Sequence, residues 1–347
     1  MRIDDYLRKL ESVGASELLL SADRPPLYQT ANELLPLPGE GSFAADDLQD
    51  ALRDLMTEDE WSALHSEHSV AFVADLGQQR RVRGLCSAGR GGLSARFRLL
   101  RSVRESVADL QLPAAITQLA DADSGLLIVT GPAGSGKSTL VATWLAQAAK
   151  RNVHIATVES PVEYLHERQQ AIVVQRAIGR HCASQASAFE AALDSNADVI
   201  VCSALAAEGV FGLAVEAANT GTLVIGELPG HGSANALEYL LMRTPSSLRA
   251  HVCSDLSECL LAVISIDLLA KKGGGRLPAA EVLLSTPNVA SLVRDGKINI
   301  LPSLLDREPG MQSMDRSLLD LANRGLIEGR DAYAKAADKR AFTTWES

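Results

Sequence analysis

Residues 131–139, with the sequence GPAGSGKST, restrict what this chain can fold into more than any other feature. They follow the apolar run 125–130 and lead into the helical pattern 140–146, so the order is strand, glycine-rich loop and helix. Glycines allow a tight turn whose backbone N–H groups face one concavity, and the helix N-terminus adds positive potential. This order predicts a phosphate-binding P-loop made of Gly131, Pro132, Ala133, Gly134, Ser135, Gly136, Lys137, Ser138 and Thr139.

Two side chains of this stretch have defined tasks in a P-loop. Lys137 is placed to reach the β- and γ-phosphates of a nucleotide, and the Ser138 hydroxyl is placed to hold Mg²⁺. We therefore predict ATP and Mg²⁺ as the ligands of this chain. The alternative is a glycine-rich turn that only happens to precede a helix, and the complete motif in its strand and helix context disfavours it.

Composition limits the remaining classes of protein. A chain of 347 residues, 46% hydrophobic and 22% charged, is long enough for two globular domains. Its net charge of −10 argues against a dedicated nucleic-acid binder, so we expect no nucleic-acid partner. Without a membrane-spanning apolar run or a signal-peptide pattern, the chain is expected to be cytoplasmic. The five cysteines lack metal-ligand spacing and are expected to be core thiols: Cys86, Cys182, Cys202, Cys253 and Cys259.

A change of pattern near residue 124 divides the chain. Residues 1–105 carry the mixed short helices and strands of an α+β domain, and residues 106–123 form a linker. Residues 124–245 alternate strand and helix, as a P-loop core does. Residues 246–347 are predicted to be mostly helical.

Four element boundaries are predicted in detail. Helical spacing predicts one helix over residues 46–65 and another over residues 247–269. In the arginine-rich region, residues 87–92 are expected to join two strands. Another strand is predicted over residues 222–225, in the P-loop core.

Further motifs point to a known family. The stretch 158–164, VESPVEY, resembles the acidic Asp box of secretion ATPases, and residues 198–201 resemble the strand that leads into their Walker B motif. With matches in both terminal regions, the chain resembles the pilus retraction ATPases of the PilT and PilU type, nearly end to end, from about residue 3 to residue 338. It lacks the four-cysteine zinc insertion of the related assembly and secretion ATPases, which favours the retraction branch.

The resemblance implies an architecture and partners. The fold would be α/β, with a PAS-like α+β N-terminal domain followed by a RecA-like P-loop NTPase domain that has a helical C-terminal part. Six subunits would form a ring, either a homo-hexamer or a ring mixed with a paralogous ATPase, with ATP between the two domains of a subunit. The partner would be the pilus platform protein of the inner membrane, so a peripheral location at that membrane is expected.

The resemblance also suggests phosphate contacts in the N-terminal domain. Arg81, Arg83, Arg90 and Arg98 match arginines of the family pattern and are candidate contacts of the γ-phosphate. Phosphoryl transfer spreads negative charge over oxygens that guanidinium groups can clamp. The alternative is a set of solvated strand arginines without a ligand.

The chain departs from its family at the water-activating positions. Ala204 stands where the family carries the glutamate after Walker B, and Ala206 where it carries an arginine. Neither side chain accepts a proton or carries charge. Pro229 stands at the His-box histidine, and Ser160 replaces the usual aspartate of the Asp box. Residues 288–292 replace an Ala-Ile-Arg-Asn-Leu motif of the retraction ATPases, which weakens the link to pilus retraction.

Three carboxylates are the candidates for a rebuilt catalytic site. Glu159 and Glu163 lie in the Asp box and could orient water, and Glu227 follows a strand at the sheet edge where ligands of such folds bind. The alternative for Glu227 is a loop carboxylate in water. His231, two residues past the His-box position, could replace the histidine or be merely exposed.

Three functions remain. The first is an ATP-binding hexameric motor-type protein of the type IV pilus retraction system, with weak or no hydrolysis. The second is an active retraction ATPase with a rebuilt water-activating site. A small-molecule P-loop kinase is disfavoured, because it needs no arginine-bearing N-terminal domain. The sequence does not decide whether ATP is hydrolysed.

Overall fold

The computed structural model describes residues 3–13, 15, 17–29, 33–77, 80–100, 110–166 and 169–345. Backbone contacts divide the chain into two compact units. The first is Met1–Ser102 together with Pro161–Leu165, and the second is Val103–Ser160 together with His166–Ser347. The predicted linker 106–123 lies partly outside the described residues.

The first unit is an α+β fold built on a six-stranded antiparallel sheet, in the order β3-β2-β1-β6-β5-β4. Leucines of the helices and the edge-to-face pair Phe72–Phe97 form its core on one face of the sheet. Its elements are α1 (Ile3–Ser12), β1 (Glu17–Ser21), β2 (Leu27–Gln29), β3 (Leu34–Pro36), α2 (Ala45–Arg53), α3 (Glu58–Glu67), β4 (Ser69–Asp75), β5 (Arg81–Gly89) and β6 (Gly92–Leu100).

The prediction of one helix over residues 46–65 is wrong, because two helices cover this region. Thr57 begins α3 with a capping box: its hydroxyl accepts from the Glu60 N–H at 3.3 Å, and its own N–H donates to the Glu60 carboxylate at 2.8 Å. Such a box marks the N-terminus of a helix, so α3 starts as a new helix after α2 has ended at Arg53. The connection expected over residues 87–92 is shorter, since β5 runs to Gly89 and β6 begins at Gly92.

The second unit is an α/β fold on a seven-stranded sheet, in the order β13-β12-β7-β11-β10-β8-β9. All neighbouring strands are parallel except β12 and β13, and helices cover both faces. Its elements are α4 (Ala114–Leu119), β7 (Gly125–Gly131), α5 (Lys137–Ala148), β8 (His154–Glu159), β9 (Ile172–Ala177), α6 (Gln185–Asp194), β10 (Val199–Cys202), α7 (Val210–Asn219), β11 (Leu223–Pro229), α8 (Ser233–Arg243), α9 (Arg249–Cys259), β12 (Leu260–Ala270), β13 (Arg276–Leu284), α10 (Pro287–Arg294), α11 (Met314–Asn323) and α12 (Gly329–Lys335).

The helix expected over residues 247–269 ends at Cys259, and Leu260–Ala270 is the strand β12. This strand lies between β7 and β13, and helices cover both faces of the sheet, so nearly all of its residues are buried or half-buried. A fully buried strand reads as a continuous apolar run and loses the alternation that identifies an exposed strand. Strand β12 therefore lies where a helix was predicted, and it extends the sheet together with β13.

The strand expected over residues 222–225 is also longer, because β11 continues to Pro229. Its last residues pair in register with Ile128 to Gly131 of β7. The extension brings Glu227 inside the sheet, beside the strand that leads into the P-loop. In the described ranges of the chain, no helix is long and apolar enough to cross a membrane.

Candidate nucleotide site

The P-loop forms where β7 ends and α5 begins. Strand β7 is buried along its whole length between β12 and β11, which fixes the position of Gly131 at its end. A Cβ at Gly131 would lie 2.4 Å from the Ile266 carbonyl oxygen, so no larger residue fits there. Gly134 and Gly136 have φ values of 75° and 99°, which favour glycine. The predicted strand, loop and helix are thus present around residues 131–139.

The polar groups of this loop suit a phosphate ligand. The Lys137 Nζ donates to the carbonyl oxygens of Gly131 at 2.8 Å and Pro132 at 2.9 Å, so the ammonium group lies over the loop backbone. The hydroxyls of Thr130 and Ser135 are buried and have no hydrogen-bond partner among the described residues. A buried hydroxyl without a partner is costly, and phosphate oxygens would satisfy it. Lysine, hydroxyls and the helix N-terminus therefore fit a nucleotide phosphate.

Ser138 lies beside a carboxylate. Its Oγ donates to Oε2 of Glu227 at 3.1 Å, across from the first turn of α5 to strand β11. Glu227 is only 8% exposed, so the interpretation of a loop carboxylate in water is wrong. A hydroxyl and a carboxylate are the hard oxygen ligands that Mg²⁺ prefers. These residues therefore fit a magnesium ion.

The turn after β10, which is predicted to be the Walker B position, carries no carboxylate from residue 203 to residue 207. Strand β10 is buried at every position and is followed by a turn that contains Ala204, Leu205 and Ala206. The Leu205 side chain is fully buried, whereas the two alanines are half-buried. Burial raises the pKa of the Cys202 thiol, at the end of β10, to about 12, so this thiol stays protonated and is no nucleophile.

Glu159 ends strand β8, next to β10 in the sheet. Its Oε1 accepts from the Thr157 hydroxyl at 2.6 Å and from the Gln175 amide at 3.2 Å. These contacts hold the carboxylate at the end of the strand. That Glu159 orients a water molecule stays a prediction.

Glu163 belongs to the first unit, with two of the predicted arginines. Arg81 donates to the carbonyl oxygens of Val162 and Glu163, each at 3.1 Å, and the Arg83 guanidinium pairs with the Glu163 carboxylate. Both arginines lie on β5, so the structure brings Arg81, Arg83 and Glu163 together. We name this group the arginine clasp. It holds the segment Pro161–Leu165, which overlaps the predicted Asp box at residues 161–164.

The other two arginines have different surroundings. Arg98 on β6 lies opposite Arg83 across the strand pair, and its Nε donates to the Glu17 carboxylate at 2.9 Å. Arg90 is exposed at the tip of the β5–β6 hairpin and has no ion pair among the residues described. Contact of any of the four arginines with a γ-phosphate stays a prediction.

The predicted His-box position is occupied by a proline. Pro229 is exposed at the end of β11, and His231 is exposed in the bend before α8. The His231 carbonyl accepts from the Asn235 amide at 3.1 Å. Whether His231 replaces the family histidine stays a prediction. Sequence reasoning did not identify Thr130, since nothing distinguishes its hydroxyl from an ordinary strand residue until its burial is known.

Comparison with known proteins decides the family. The sequence profile of the Type II/IV secretion system protein family matches residues 80–272, more than half of the chain. The chain belongs to this family. Among its relatives, the Escherichia coli (strain K12) protein described as "Uncharacterized protein YggR" is 35% identical over 94% of this chain and 100% of its own length.

Two further relatives identify the branch of this secretion ATPase. The type IV pilus retraction ATPase PilT of Pseudomonas aeruginosa is 32% identical over 97% of this chain and 98% of its own. The crystal structure of the pilus retraction motor PilT with bound ADP matches with a TM-score of 0.85 and 30% identity, over 98% of both chains. The predicted resemblance to PilT-type ATPases and the two-domain α/β architecture with a RecA-like ATPase domain are confirmed.

Proposed function

We propose that this secretion ATPase binds ATP with Mg²⁺ at residues 131–139 and serves in a type IV pilus retraction or twitching system with weak or no ATP hydrolysis. The observation that carries the proposal is a complete P-loop next to a Walker B turn without a carboxylate. Nucleotide binding and hydrolysis require different groups. This chain has the P-loop groups for binding, but it has alanines where hydrolysis would need charged side chains after β10.

The binding half of the proposal rests on the loop itself. The left-handed glycines, the Lys137 ammonium and the buried hydroxyls of Thr130 and Ser135 support a phosphate site. The relative of known structure was solved with bound ADP, which supports a nucleotide as the ligand. Mg²⁺ bound beside Ser138 would screen the phosphate charge.

The weak-hydrolysis half rests on Ala204 and Ala206. Neither can take a proton from water or stabilise developing charge. Loss of one positioned base lowers a rate by roughly 10²- to 10⁴-fold. Loss of a charged group as well lowers it further, although the two effects do not simply add.

The relatives support a proposed assembly. We propose a ring of six subunits, formed by this chain alone or mixed with a paralogous ATPase, because PilT and PilU type ATPases of one organism are both relatives of this chain. The proposed partner is the inner-membrane platform protein of a pilus, reached from the cytoplasm.

The second candidate function is an active retraction ATPase. The position of Glu227 favours it, since a buried carboxylate beside Ser138 could orient water near the γ-phosphate. In this case Glu227, Glu159 or Glu163 would replace the missing glutamate.

The test combines a binding titration with phosphate release on the purified full chain, with Lys137→Ala as the control. Binding of ATP without turnover above the control is the result expected of the first candidate. Turnover near 1 s⁻¹, which is in the ordinary enzyme range, would favour the second. If the wild-type chain binds no ATP, neither candidate stands.

A further inference from the structure

We infer that Glu227 is the carboxylate with which this chain holds the cation of a bound nucleotide, in place of the carboxylate missing after β10. The inference rests on the nucleotide site proposed above and assigns the cation contact within it. It concerns binding of the Mg²⁺–nucleotide complex, whether or not the nucleotide is hydrolysed.

The strand order puts Glu227 where such a carboxylate is needed. Strand β11 is the direct neighbour of β7, and Glu227 pairs in register with Val129, close before the loop. Alternate residues of a strand share a face, so Glu227 is on the same face as Ile225. Ile225 packs against the core under α5, whose first turn carries Ser138.

The contact with Ser138 is the pair that a P-loop cation site requires. In P-loop NTPases the serine or threonine of the loop and an acidic residue hold Mg²⁺ together. Here the Ser138 hydroxyl donates to Oε2 of Glu227 at 3.1 Å, and Glu227 is 8% exposed. A carboxylate so far from water is stabilised when a cation lies beside it.

The cation would need the nucleotide as well. No group of three or more histidine, cysteine, aspartate or glutamate side chains within the described ranges could hold a metal. Mg²⁺ commonly takes one or two carboxylates together with substrate phosphates instead of an all-protein cage. Ser138 and Glu227 therefore predict a cation that binds with the nucleotide and not before it.

The charge of Glu227 should change nucleotide affinity in opposite directions with and without a cation. Without a cation, the buried carboxylate repels the phosphates that the loop attracts. With a cation between them, both become ligands of the same ion. Removing the charge should therefore weaken nucleotide binding in Mg²⁺ and strengthen it in EDTA.

The experiment titrates a fluorescent ADP into the full chain, in Mg²⁺ and in EDTA, for the wild type and Glu227→Gln. Glutamine keeps the size of the side chain and an oxygen that accepts from Ser138. In Mg²⁺ the variant should bind about tenfold more weakly or worse, because even the loss of a group that only supports a metal ligand typically costs about 10- to 100-fold in metal affinity. In EDTA it should bind several-fold more tightly.

Glu281→Gln is the matched control. Glu281 lies on β13 of the same sheet, and its Oε1 accepts from the Ser233 hydroxyl at 2.6 Å. The control therefore removes a carboxylate that pairs with a serine elsewhere in the sheet. It should keep the wild-type ratio of the two affinities.

The outcomes separate the two proposals. Binding of ADP by the wild type, with the same Mg²⁺-to-EDTA ratio in Glu227→Gln, would overturn the role of Glu227 and leave the nucleotide site standing. No ADP binding by the wild type in either buffer would overturn both. If Glu227→Gln does not fold, the deciding experiment titrates Mn²⁺ into the ADP-loaded wild type. The electron paramagnetic resonance signal of free Mn²⁺ then measures how tightly the ion is bound. Mn²⁺ held no more tightly than by ADP alone would overturn the inference.

Discussion

The backbone N–H of Leu205 donates to the carbonyl oxygen of Glu227 at 3.0 Å. This bond ties the turn after β10, where the sequence predicts the position of the family's glutamate, to the strand that carries the buried carboxylate Glu227. Leu205 also lies over Gly226, the residue before Glu227. A Cβ at Gly226 would be 2.6 Å from Cδ2 of Leu205, which is fully buried.

Gly226→Ala should therefore destabilise the protein. The added methyl group overlaps the fully buried Leu205 side chain, and overpacking of this kind costs about 1–3 kcal/mol. The measurement is chemical or thermal unfolding of the full chain. Gly212→Ala is the control, because Gly212 lies within α7 and a Cβ there meets no atom within 4 Å. Alanine in a helix is preferred over glycine, so the control should gain about 0.5–1 kcal/mol. Equal effects of both changes would contradict the packing argument.

The arginine clasp should control local opening of residues 161–165. Arg81 holds two backbone carbonyls, whereas Arg83 forms an ion pair with Glu163 that is partly exposed. Partly exposed ion pairs contribute little, so Arg81→Ala should raise hydrogen exchange of this segment more than Arg83→Ala. Hydrogen exchange measured by mass spectrometry compares the exchange rates of residues 161–165 in the two variants. Arg90→Ala, at the hairpin tip, should leave the segment unchanged, and an effect as large as that of Arg81→Ala would contradict the assignment.

Trp144→Phe should loosen the helix behind the P-loop. The indole N–H of Trp144 donates to the Ile116 carbonyl at 3.1 Å, and Trp144 is 1% exposed. Phenylalanine leaves this carbonyl without its donor in a buried position, which costs about 1–3 kcal/mol. Unfolding experiments should register the loss. Trp61→Phe, at a half-buried position of α3, serves as the control and should cost clearly less.

The P-loop site could be predicted from the sequence because its chemistry is local. Glycines with left-handed φ, a lysine and a serine occur within nine consecutive residues, so their spacing alone defines the site. The partnership of Ser138 with Glu227 is different, because 89 residues separate the two in the chain. Only the strand order of the sheet brings them together, and strand order is not encoded in local spacing.

The error over residues 247–269 has a similar cause. The run from Leu260 to Leu269 is apolar at nearly every position, and a fully buried strand and a buried helix produce the same pattern. Its isoleucines and valine were the available signal for a strand, since branched side chains favour the pleated surface. The start of α3 after Thr57 also had a local signal in the sequence, a threonine followed three residues later by Glu60.

His166 should make stability depend on pH. Burial lowers the pKa of His166 from its usual 6.5 to about 4. Between these values the unfolded chain takes up a proton that the folded chain does not, so stability falls as the pH drops below about 6.5 and the full loss is reached below about 4. At pH 5 the loss relative to neutral pH should be about 2 kcal/mol.

Urea unfolding at pH 7.5 and pH 5 measures this loss. The variant His166→Gln should lose this contribution to the difference between the two pH values. His251→Gln should keep it, because His251 is exposed on α9, where it pairs with Asp255. An unchanged pH difference in His166→Gln would show that other groups cause it.

Two buried threonines should respond in opposite directions to the same substitution. Thr130 is fully buried on β7, and its hydroxyl has no partner among the described residues. Valine has the same shape without the hydroxyl, so Thr130→Val should stabilise the nucleotide-free protein by about 1 kcal/mol. Thr143 on α5 is also buried, but its hydroxyl donates to the Thr139 carbonyl at 2.7 Å. Thr143→Val removes this bond and should destabilise the protein by about 1 kcal/mol. Unfolding of both variants without nucleotide measures whether each substitution raises or lowers the free energy of unfolding. A loss of stability in Thr130→Val would mean that the Thr130 hydroxyl already has a partner in the folded chain, such as an ordered water. The hydroxyl would then no longer be a candidate contact of a bound phosphate.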